Sequence, residues 1–231
     1  MKIAVLSDIH CNKYALSEAL KLISELGVDH CFFLGDYFGY YPWALETYNL
    51  LKTVQHRSTF IIGNHDEMMI RKISPDPVPE YWDVLTKNKE QLPDEAIKWL
   101  ESLKSHALLR IDGLQFSLYH GTPDDELNGR FYPDNENAFK WFPQTNEVVL
   151  LGHTHYKILK QTDEAGFILN PGSVGQARGK NTKPTFALID TGTESFKFIE
   201  INYDVEKIIK ELEGINWYPR AIESLKKSIE H

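Results

Sequence analysis

Five short motifs constrain this 231-residue chain more than any other feature. Each follows an apolar run typical of a β-strand, and each contains a side chain that can bind a hard or borderline cation. In chain order the motifs are Asp8-Ile9-His10, Gly35-Asp36, Gly63-Asn64-His65-Asp66, His120-Gly121 and Gly152-His153-Thr154-His155. Side chains so distant in sequence meet only if the strands bring their ends to one edge of a sheet. Each motif alone is common by chance, but the ordered set predicts a metal centre in an α/β fold.

The N-terminal strand and the helix after it illustrate how a motif is delivered. Residues 2–7 are short and apolar, which predicts a strand buried on both faces. Asp8 and His10 follow it, and residues two apart on an extended chain point to the same side. Asn12 is typical of a helix N-cap, and apolar residues recur at helical spacing until Gly27 closes the helix. The N-terminus of this helix would face the site and favour an anion there.

Four later apolar runs predict the strands that deliver the other motifs. They cover residues 31–34, 58–62, 114–119 and 147–151. The glycines before Asp36 and Asn64 allow the backbone to turn sharply beside the site. His153 and His155 repeat the spacing of Asp8 and His10, so they too can point to one side.

This set of motifs resembles that of the calcineurin-like metallophosphoesterases, which carry D-x-H, G-D, G-N-H-D, G-H or H-G, and G-H-x-H blocks. More narrowly, the chain is similar to the small single-domain bacterial and archaeal members. Those continue with an Asn-Pro-Gly-Ser turn, which is present here at residues 170–173. The resemblance implies a four-layer αββα sandwich, in which two mixed β-sheets pack face to face between helices.

The resemblance also implies two metal ions and assigns residues to them. One ion would be held by Asp8, His10, Asp36 and His155. The other would be held by Asp36, Asn64, His120 and His153. Asp36 would therefore bridge the ions, and His65 would act as an acid outside the ligand set. We expect the seven ligands to converge on two positions a few ångströms apart.

The chemistry of these ligands agrees with a hydrolytic role. Carboxylate, amide oxygen and imidazole ligands suit Mn²⁺, Fe or Zn²⁺ better than Mg²⁺. Two such ions, about 3.5–4 Å apart, can bridge a hydroxide and clamp a phosphoryl group. The hydroxide would attack phosphorus in line with the leaving oxygen, and His65 would protonate that oxygen. The sequence therefore predicts a phosphoesterase that acts on a small phosphate ester.

One departure from the family bears on the substrate. In the Ser/Thr protein phosphatase branch the second motif reads G-D-x-x-D-R-G, in which the second Asp orients the catalytic His and the Arg binds phosphate. Gly39 and Tyr40 stand at those two positions here. A doubly charged monoester gains most from a fixed guanidinium, so its absence favours phosphodiesters or nucleotide-type substrates. It also leaves the group that orients His65 open, because the neighbouring Asp66 side chain is expected to point elsewhere.

Two alternatives to a phosphodiesterase stay open. A phosphomonoesterase is the first, since an arginine from another loop could supply the missing charge. A non-catalytic scaffold of the same fold is the second. It is disfavoured because all the histidines of the motifs are present.

The candidate substrate contacts are Asn12, Tyr37, Arg130 and Arg178. The aromatic residues after Asp36, from Tyr37 to Trp43, could stack on a substrate ring or pack the helix that Pro42 begins. Residues 122–144 lack periodicity and include Arg130, so we expect them to overhang the site as a loop. For Arg130 and Arg178 the simpler alternative is an exposed surface residue.

The rest of the chain fits a single domain covering residues 1–231. Residues 68–104 read as helical with a proline-rich break at 75–79, and we expect this segment and the 122–144 loop to be insertions near the site. Further strands are predicted at 107–111, 157–160, 167–169, 185–189 and 196–201. Further helices are predicted at 94–103, 205–212 and 220–229.

Composition limits the partners and the location. The net charge of −8 argues against a general nucleic-acid surface, although bound metals could still attract a small anion. No apolar run is long enough to cross a membrane, and the chain enters its first strand without a signal peptide, which favours the cytoplasm. The sequence does not indicate an oligomeric state.

The remaining metal-binding residue types have ordinary interpretations. Cys31 lies in an apolar strand and is expected in the core, whereas Cys11 could be a ligand or a reduced thiol beside the site. Four histidines lack a partner at metal spacing and are taken as ordinary: His30, His56, His106 and His231.

Overall fold

A computed structural model describes residues 1–72, 79–134, 143–162, 165–178 and 183–229. The predicted proline-rich break lies outside these residues apart from position 79. The second half of the 122–144 segment, up to residue 142, and His231 also lie outside them.

The strands and helices follow the predicted order. The strands are β1 (Lys2–Leu6), β2 (His30–Phe33), β3 (Ser58–Phe60), β4 (His106–Ile111), β5 (Leu114–Tyr119), β6 (Glu147–Leu150), β7 (Lys157–Gln161), β8 (Phe167–Pro171), β9 (Thr185–Asp190) and β10 (Ser195–Glu200). The helices are α1 (Lys13–Glu25), α2 (Ala44–Val54), α3 (Asn64–Arg71), α4 (Pro79–Gln91), α5 (Asp94–Ser102), α6 (Val205–Gly214) and α7 (Pro219–Ile229), with a 3₁₀ turn at Gln55–Arg57.

Two five-stranded mixed sheets form the centre of the molecule. The strand order is β10-β9-β1-β2-β3 in the first sheet and β4-β5-β6-β8-β7 in the second. Strands β1, β2 and β3 are parallel in the first sheet, as are β5, β6 and β8 in the second. The remaining strands add antiparallel at the edges. The predicted α/β sandwich of two mixed sheets with flanking helices is therefore confirmed.

The alternation of side chains along β1 explains how the layers pack. Ile3 and Val5 belong to the hydrophobic cluster that also contains Phe116 and Leu118 of β5, in the second sheet. Ala4 and Leu6 face the opposite way, into the cluster formed with the helices. Because the strand is buried on both faces after the exposed Lys2, its positions from Ile3 to Leu6 are all apolar, and this pattern predicted the strand from the sequence.

Helix α1 begins and ends where the sequence indicated. The Asn12 side chain accepts a hydrogen bond from the Ala15 N–H at 3.1 Å, which caps the first turn. Gly27 follows the helix with φ +63°, in the left-handed region that glycine tolerates. The helix therefore starts immediately after the first motif and leads away from the site.

The helical segment after β3 is anchored close to the second motif. Strand β3 ends two residues earlier than expected, and the Ile62 N–H instead donates to the Lys104 carbonyl at 2.9 Å. Asn88 of α4 is fully buried; it accepts from the Gly39 N–H at 2.8 Å and donates to the Tyr41 carbonyl at 2.9 Å. Helix α4 thereby holds the chain that follows Asp36.

The helices within the described residues are too short or too polar to cross a bilayer. Both cysteines are buried and free. Cys31 lies in the core as expected. The Cys11 thiol donates to the Asn88 side-chain oxygen at 3.4 Å, and it belongs to none of the His and Asp clusters described below.

Candidate metal centre

The motifs meet at one edge of the sandwich, where β1, β2, β5 and β6 end. Five of the predicted ligands there have a left-handed backbone, with φ between 50° and 64°: Asp8, His10, Asp36, His153 and His155. Non-glycine residues rarely adopt this conformation, and each instance costs about 1–3 kcal/mol. Such strain persists only where the surroundings enforce it, and its concentration here marks a functional edge.

One cluster of donor atoms comes from Asp8, His10 and His155. The two imidazole Nε2 atoms lie 3.2 Å apart, and Asp8 Oδ1 lies 3.2 Å from His155 Nε2 and 3.7 Å from His10 Nε2. Ligand atoms bound about 2.0–2.2 Å from one ion in tetrahedral or octahedral geometry are separated by about 2.8–3.6 Å. The spacing of these atoms is close to that range.

A second cluster comes from Asp36, Asn64, His120 and His153. His120 Nε2 lies 2.9 Å from Asn64 Oδ1 and 3.4 Å from Asp36 Oδ2. His153 Nδ1 lies 3.0 Å from the same Asn64 oxygen. Asp36 Oδ2 is also 3.8 Å from His10 Nε2, so the Asp36 carboxylate faces both clusters.

Backbone carbonyls determine which nitrogen of three histidines is free. His10 Nδ1 contacts the Phe38 carbonyl at 3.3 Å, His120 Nδ1 the Leu34 carbonyl at 2.7 Å, and His155 Nδ1 the Gln176 carbonyl at 2.6 Å. A carbonyl only accepts, so Nδ1 carries a hydrogen and the Nε2 atom faces the site. Hydrogen bonds of this kind orient histidines that bind metals.

The first cluster therefore brings three acceptor atoms together with no hydrogen-bond donor among them. Nε2 of His10 and His155 face each other and Asp8 Oδ1, and this buried oxygen has no hydrogen-bond partner in the described residues. A buried polar atom without a partner is destabilising. A cation would satisfy all three acceptors, so the residues present fit a metal ion.

The charges of the site also favour a bound metal ion. Asp8 and Asp36 are 0% and 1% exposed, and no lysine or arginine in the described part of the chain pairs with either. Burial raises the pKa of both carboxyls, but the neighbouring imidazoles outweigh it and hold each pKa below its ordinary value. Two buried carboxylates without a lysine or arginine partner among the described residues favour a bound cation.

The surroundings shift the pKa values of the histidines in different directions. Burial lowers the pKa of His10 well below its ordinary value and that of His153 to about 4, so both stay neutral and able to bind a metal. Burial also disfavours the charged form of His120, but the Asp36 carboxylate overcomes this and raises the pKa of His120 to about 9. An ion bound there would have to displace a proton.

His65 lies at the first turn of α3, beside the first cluster. Its N–H donates to Asp36 Oδ1 at 2.9 Å, and its ring centroid is 5.1 Å from that of His10. A side-chain nitrogen of His65 lies within 4.8 Å of the donor atoms of His10 and Asp36, so proximity alone does not distinguish it from a ligand. Its ring is partly exposed and, within the described residues, forms no hydrogen bond with a backbone carbonyl.

Asp66 has a role that the sequence reading missed. Its buried carboxylate accepts hydrogen bonds from the N–H groups of Tyr37 at 3.0 Å, Phe38 at 3.1 Å and Gly63 at 3.1 Å. It thus ties the chain after Asp36 to the start of α3. The acidic residue three positions after Gly63 is the signal of an N-terminal capping box, which could have revealed this.

The Asn-Pro-Gly-Ser turn supports the ligands from behind. Asn170 donates to the Gly152 carbonyl at 2.7 Å, and the Ser173 hydroxyl donates to the Asp8 carbonyl at 2.8 Å. The same hydroxyl accepts from the Gln176 N–H at 2.7 Å, and the Gln176 carbonyl holds His155. The turn therefore connects both ligand-bearing loops.

Two predicted substrate contacts do not face the open site. Tyr37 has no exposed surface, and its hydroxyl donates to the Ile61 carbonyl at 2.6 Å. Asn12 is also fully buried, and its amide donates to the Gly175 carbonyl and to the Tyr203 hydroxyl, both at 3.0 Å. Stacking by Tyr37 and anion binding at the helix N-terminus of Asn12 were expected, but both side chains turn into the core.

Most of the aromatic residues after Asp36 pack in the core rather than lining the site. Phe38, Tyr41 and Trp43 join Tyr37 in the buried core. Tyr40 alone borders the site, with its ring centroid 4.5 Å from that of His10.

The two candidate arginines both lie at the rim with exposed side chains. Arg130 Nε donates to His153 Nε2 at 3.3 Å, so the described part of the 122–144 segment reaches the site. Arg178 Nη2 contacts the Tyr40 hydroxyl at 3.4 Å. His106 instead pairs with Glu126 at 2.9 Å, and His30 contacts the Thr59 hydroxyl at 2.9 Å, in keeping with ordinary roles.

A cavity of about 720 Å³ lies between α3, α5 and residues 125–128. None of the predicted ligands lines it. This cavity is therefore separate from the candidate metal centre.

A sandwich of two mixed sheets with Asp and His clusters at a shared edge is typical of metallophosphoesterases, and this is the enzyme class of the chain. The chain belongs to the calcineurin-like phosphoesterase superfamily, whose domain matches residues 1–194. This confirms the resemblance noted in the motifs.

Relatives and solved structures agree along most of the chain. An uncharacterised protein of Methanocaldococcus jannaschii, MJ0912, is 26% identical over 227 residues, which is 91% of each chain. Phosphodiesterase MJ0936 of the same organism is 24% identical over 203 residues, covering 86% of this chain and 98% of the relative. The crystal structure of hypothetical protein PH1004 from Pyrococcus horikoshii has a TM-score of 0.83 at 23% identity, covering 100% of this chain and 99% of the other.

Proposed function

We propose that this chain is a two-metal phosphoesterase that hydrolyses phosphodiester or nucleotide-type substrates. The observation that carries the proposal is the position of Asp36. Its Oδ2 atom lies 3.8 Å from His10 Nε2 and 3.4 Å from His120 Nε2, which belong to different clusters. One carboxylate between two sets of inward-facing acceptors suits a bridging ligand.

The proposed ligand sets follow these contacts. Asp8, His10, Asp36 and His155 would hold one ion, and Asp36, Asn64, His120 and His153 the other. The mixture of oxygen and imidazole ligands favours Mn²⁺, Fe or Zn²⁺. When bound, the two ions would supply an activated water and neutralise charge on the phosphoryl oxygens.

His65 is proposed as the general acid. It lies next to Asp36 and is partly exposed, so its ring can reach a substrate that the buried ligands cannot. Burial lowers the pKa of His65, which makes the ring a readier proton donor once it is protonated. The residue would give its proton to the leaving oxygen of the ester.

The substrate class rests on Gly39 and Tyr40. Neither supplies a guanidinium where the Ser/Thr protein phosphatases carry one, and Arg130 and Arg178 are exposed at the rim rather than buried beside the ligands. A diester, with one negative charge, needs fewer fixed positive groups than a monoester. The phosphodiesterase relative from M. jannaschii supports the same class.

A phosphomonoesterase is the second candidate. Arg130 favours it, because its Nε lies 3.3 Å from His153 Nε2 and its guanidinium could meet a second phosphate charge.

The test uses chelated protein reloaded with Mn²⁺, Fe²⁺ or Zn²⁺. Elemental analysis should find two ions per chain, and kcat/KM should be higher for methyl p-nitrophenyl phosphate than for p-nitrophenyl phosphate, which has the same leaving group. A single ion per chain would contradict the bridged centre. A higher kcat/KM on the monoester would select the second candidate, and Arg130→Gln should then remove most of that preference.

A further inference from the structure

Tyr40 forms one side of an aromatic wall beside His65. Its ring centroid lies 5.4 Å from that of His65, with the planes tilted by 30°. Trp217, from the turn between α6 and α7, donates its indole N–H to the Tyr40 carbonyl at 2.7 Å. The backbone of Tyr40 is therefore tied to a segment far away in sequence.

Tyr81 of α4 forms the other side of the wall. Its ring centroid lies 5.6 Å from that of Tyr40 and 6.1 Å from that of His65, and it stands nearly perpendicular to both. Both tyrosines are partly exposed. We call Tyr40 and Tyr81 the aromatic wall, and a pair of rings of this kind suits stacking with a planar base.

Two guanidinium groups flank the aromatic wall. Arg178 Nη2 contacts the Tyr40 hydroxyl at 3.4 Å, and Arg220 Cζ lies 5.6 Å from the centroid of the Tyr81 ring. Neither arginine has a carboxylate partner among the described residues, although the chain has a net charge of −8. Lys87, nearby on α4, does pair with Asp83 at 3.2 Å. Arg178 and Arg220 are therefore available to an anion.

We propose that the group leaving from the phosphorus is a nucleotide, with its base on the aromatic wall and its phosphate between Arg178 and Arg220. This rests on the proposed function, because His65 identifies the side from which a group departs. A water oxygen forms a bond to phosphorus, and the bond from phosphorus to the bridging oxygen breaks. The nucleotide leaves with that oxygen and its electron pair as a phosphate, a good leaving group, and His65 donates a hydrogen bond to the departing oxygen.

Two matched substrates distinguish the contribution of the base from that of the phosphate. P1-methyl adenosine diphosphate transfers a methylphosphoryl group with AMP leaving, and its analogue without adenine has ribose 5-phosphate leaving. Metal-loaded wild-type protein should have a kcat/KM roughly tenfold higher for the adenine compound, as expected for one stacked base. In ¹⁸O-labelled water the label should enter methyl phosphate rather than AMP, because the nucleotide occupies the leaving side.

Variants then connect the preference to these residues. Tyr81→Ala should bring the ratio of the two kcat/KM values close to one, and Tyr81→Phe should preserve it. Arg178→Gln and Arg220→Gln should each lower kcat/KM for both diphosphates by roughly tenfold, and lower it less for methyl p-nitrophenyl phosphate, which lacks a second phosphate. The control is Arg110→Gln, an exposed arginine on β4, which should change neither.

The outcomes distinguish this inference from the function on which it rests. Equal kcat/KM values for the two diphosphates, label in AMP, or a Tyr81→Ala variant with an unchanged ratio would each overturn the nucleotide site while leaving the phosphoesterase intact. Failure of the metal-loaded protein to hydrolyse methyl p-nitrophenyl phosphate would overturn the proposed function, and the inference with it.

Discussion

The buried floor of the site and its exposed rim are built differently. On the floor, Asp8, His10 and His155 are 0–3% exposed, and each imidazole is tied to a backbone carbonyl. At the rim, Arg130 and Arg178 are exposed, and within the described residues each forms one side-chain hydrogen bond. The floor has one arrangement enforced by the fold, whereas the rim can adapt to a substrate. We therefore expect changes on the floor to affect metal binding and turnover, and changes at the rim to affect selectivity.

The largest effect is expected for Asp36→Asn. The substitution removes a charge that faces both clusters, so both ions should be weakened together. The loss of kcat/KM should exceed the roughly 10²–10⁴-fold typical of losing a general acid. Elemental analysis should show reduced metal at both positions even with excess Mn²⁺. Retention of both ions with near-normal turnover would mean that Asp36 does not bridge.

The next largest effect is expected for His65→Ala. Turnover should fall by roughly 10²–10⁴-fold while both ions are retained, because His65 is proposed to donate a proton rather than to bind metal. The loss should be smaller for a nitrophenyl diester, whose leaving group needs no proton. His56→Ala, an exposed histidine elsewhere, is the matched control. Equal losses on activated and unactivated diesters would remove His65 from this role, and loss of an ion would make it a ligand.

The third largest effect is expected for Gly39→Ala, which should crowd the rings of His65 and His10. A Cβ atom at Gly39 would lie 3.0 Å from His65 Nδ1 and 3.5 Å from His10 Nδ1, and its φ is +109°. Displacing these rings by about 1 Å should lower kcat by up to roughly 10²-fold. Gly113→Ala is the control, since its φ is +87° but nothing lies within 4 Å. If both variants lose activity equally, backbone strain rather than crowding of the histidines is responsible.

The smallest of these effects is expected for Ser173→Ala. The Ser173 hydroxyl supports Asp8 and Gln176 through two hydrogen bonds, at 2.8 and 2.7 Å. Removing such a partner behind a metal ligand weakens metal affinity by about 10–100-fold, and we expect the lower end. Titration of the chelated protein with Mn²⁺ measures it. Ser102→Ala removes a hydroxyl-to-carbonyl bond on the surface and should leave the affinity unchanged, and the idea fails if both variants behave alike.

Much of the fold was predictable because burial leaves a pattern in the chain. Strands such as β1 and β6 lie between two layers and are apolar at nearly every position, so their bounds were found within a residue or two. The sequence predicted strand β3 to be two residues longer than it is. Ile61 and Ile62 are apolar like a strand. Ile61 still donates to the Phe33 carbonyl of β2 at 3.0 Å, but the Ile62 N–H donates to Lys104, a tertiary partner that no local pattern reports.

The candidate site was also predictable only in part. Asp8, His10, Asp36 and the other motif residues were legible in the sequence because each ends a strand, and parallel strands share an edge. Tyr37 was predicted to stack on a substrate ring, and Asn12 to lie at a helix N-terminus that favours an anion, but both side chains are buried in the fold. Their burial and hydrogen bonds could not be read from neighbours in the chain.

The sequence by itself determined the class of chemistry, because metal ligands are restricted to a few side-chain types at a few places in a strand. The tertiary structure alone decided which imidazole nitrogen faces inward, since the carbonyls of Leu34, Phe38 and Gln176 that hold them come from other segments. It also decided that Tyr40 would meet Tyr81 beside His65. Contacts between distant segments depend on how the layers pack, and packing is a property of the whole chain rather than of any motif within it.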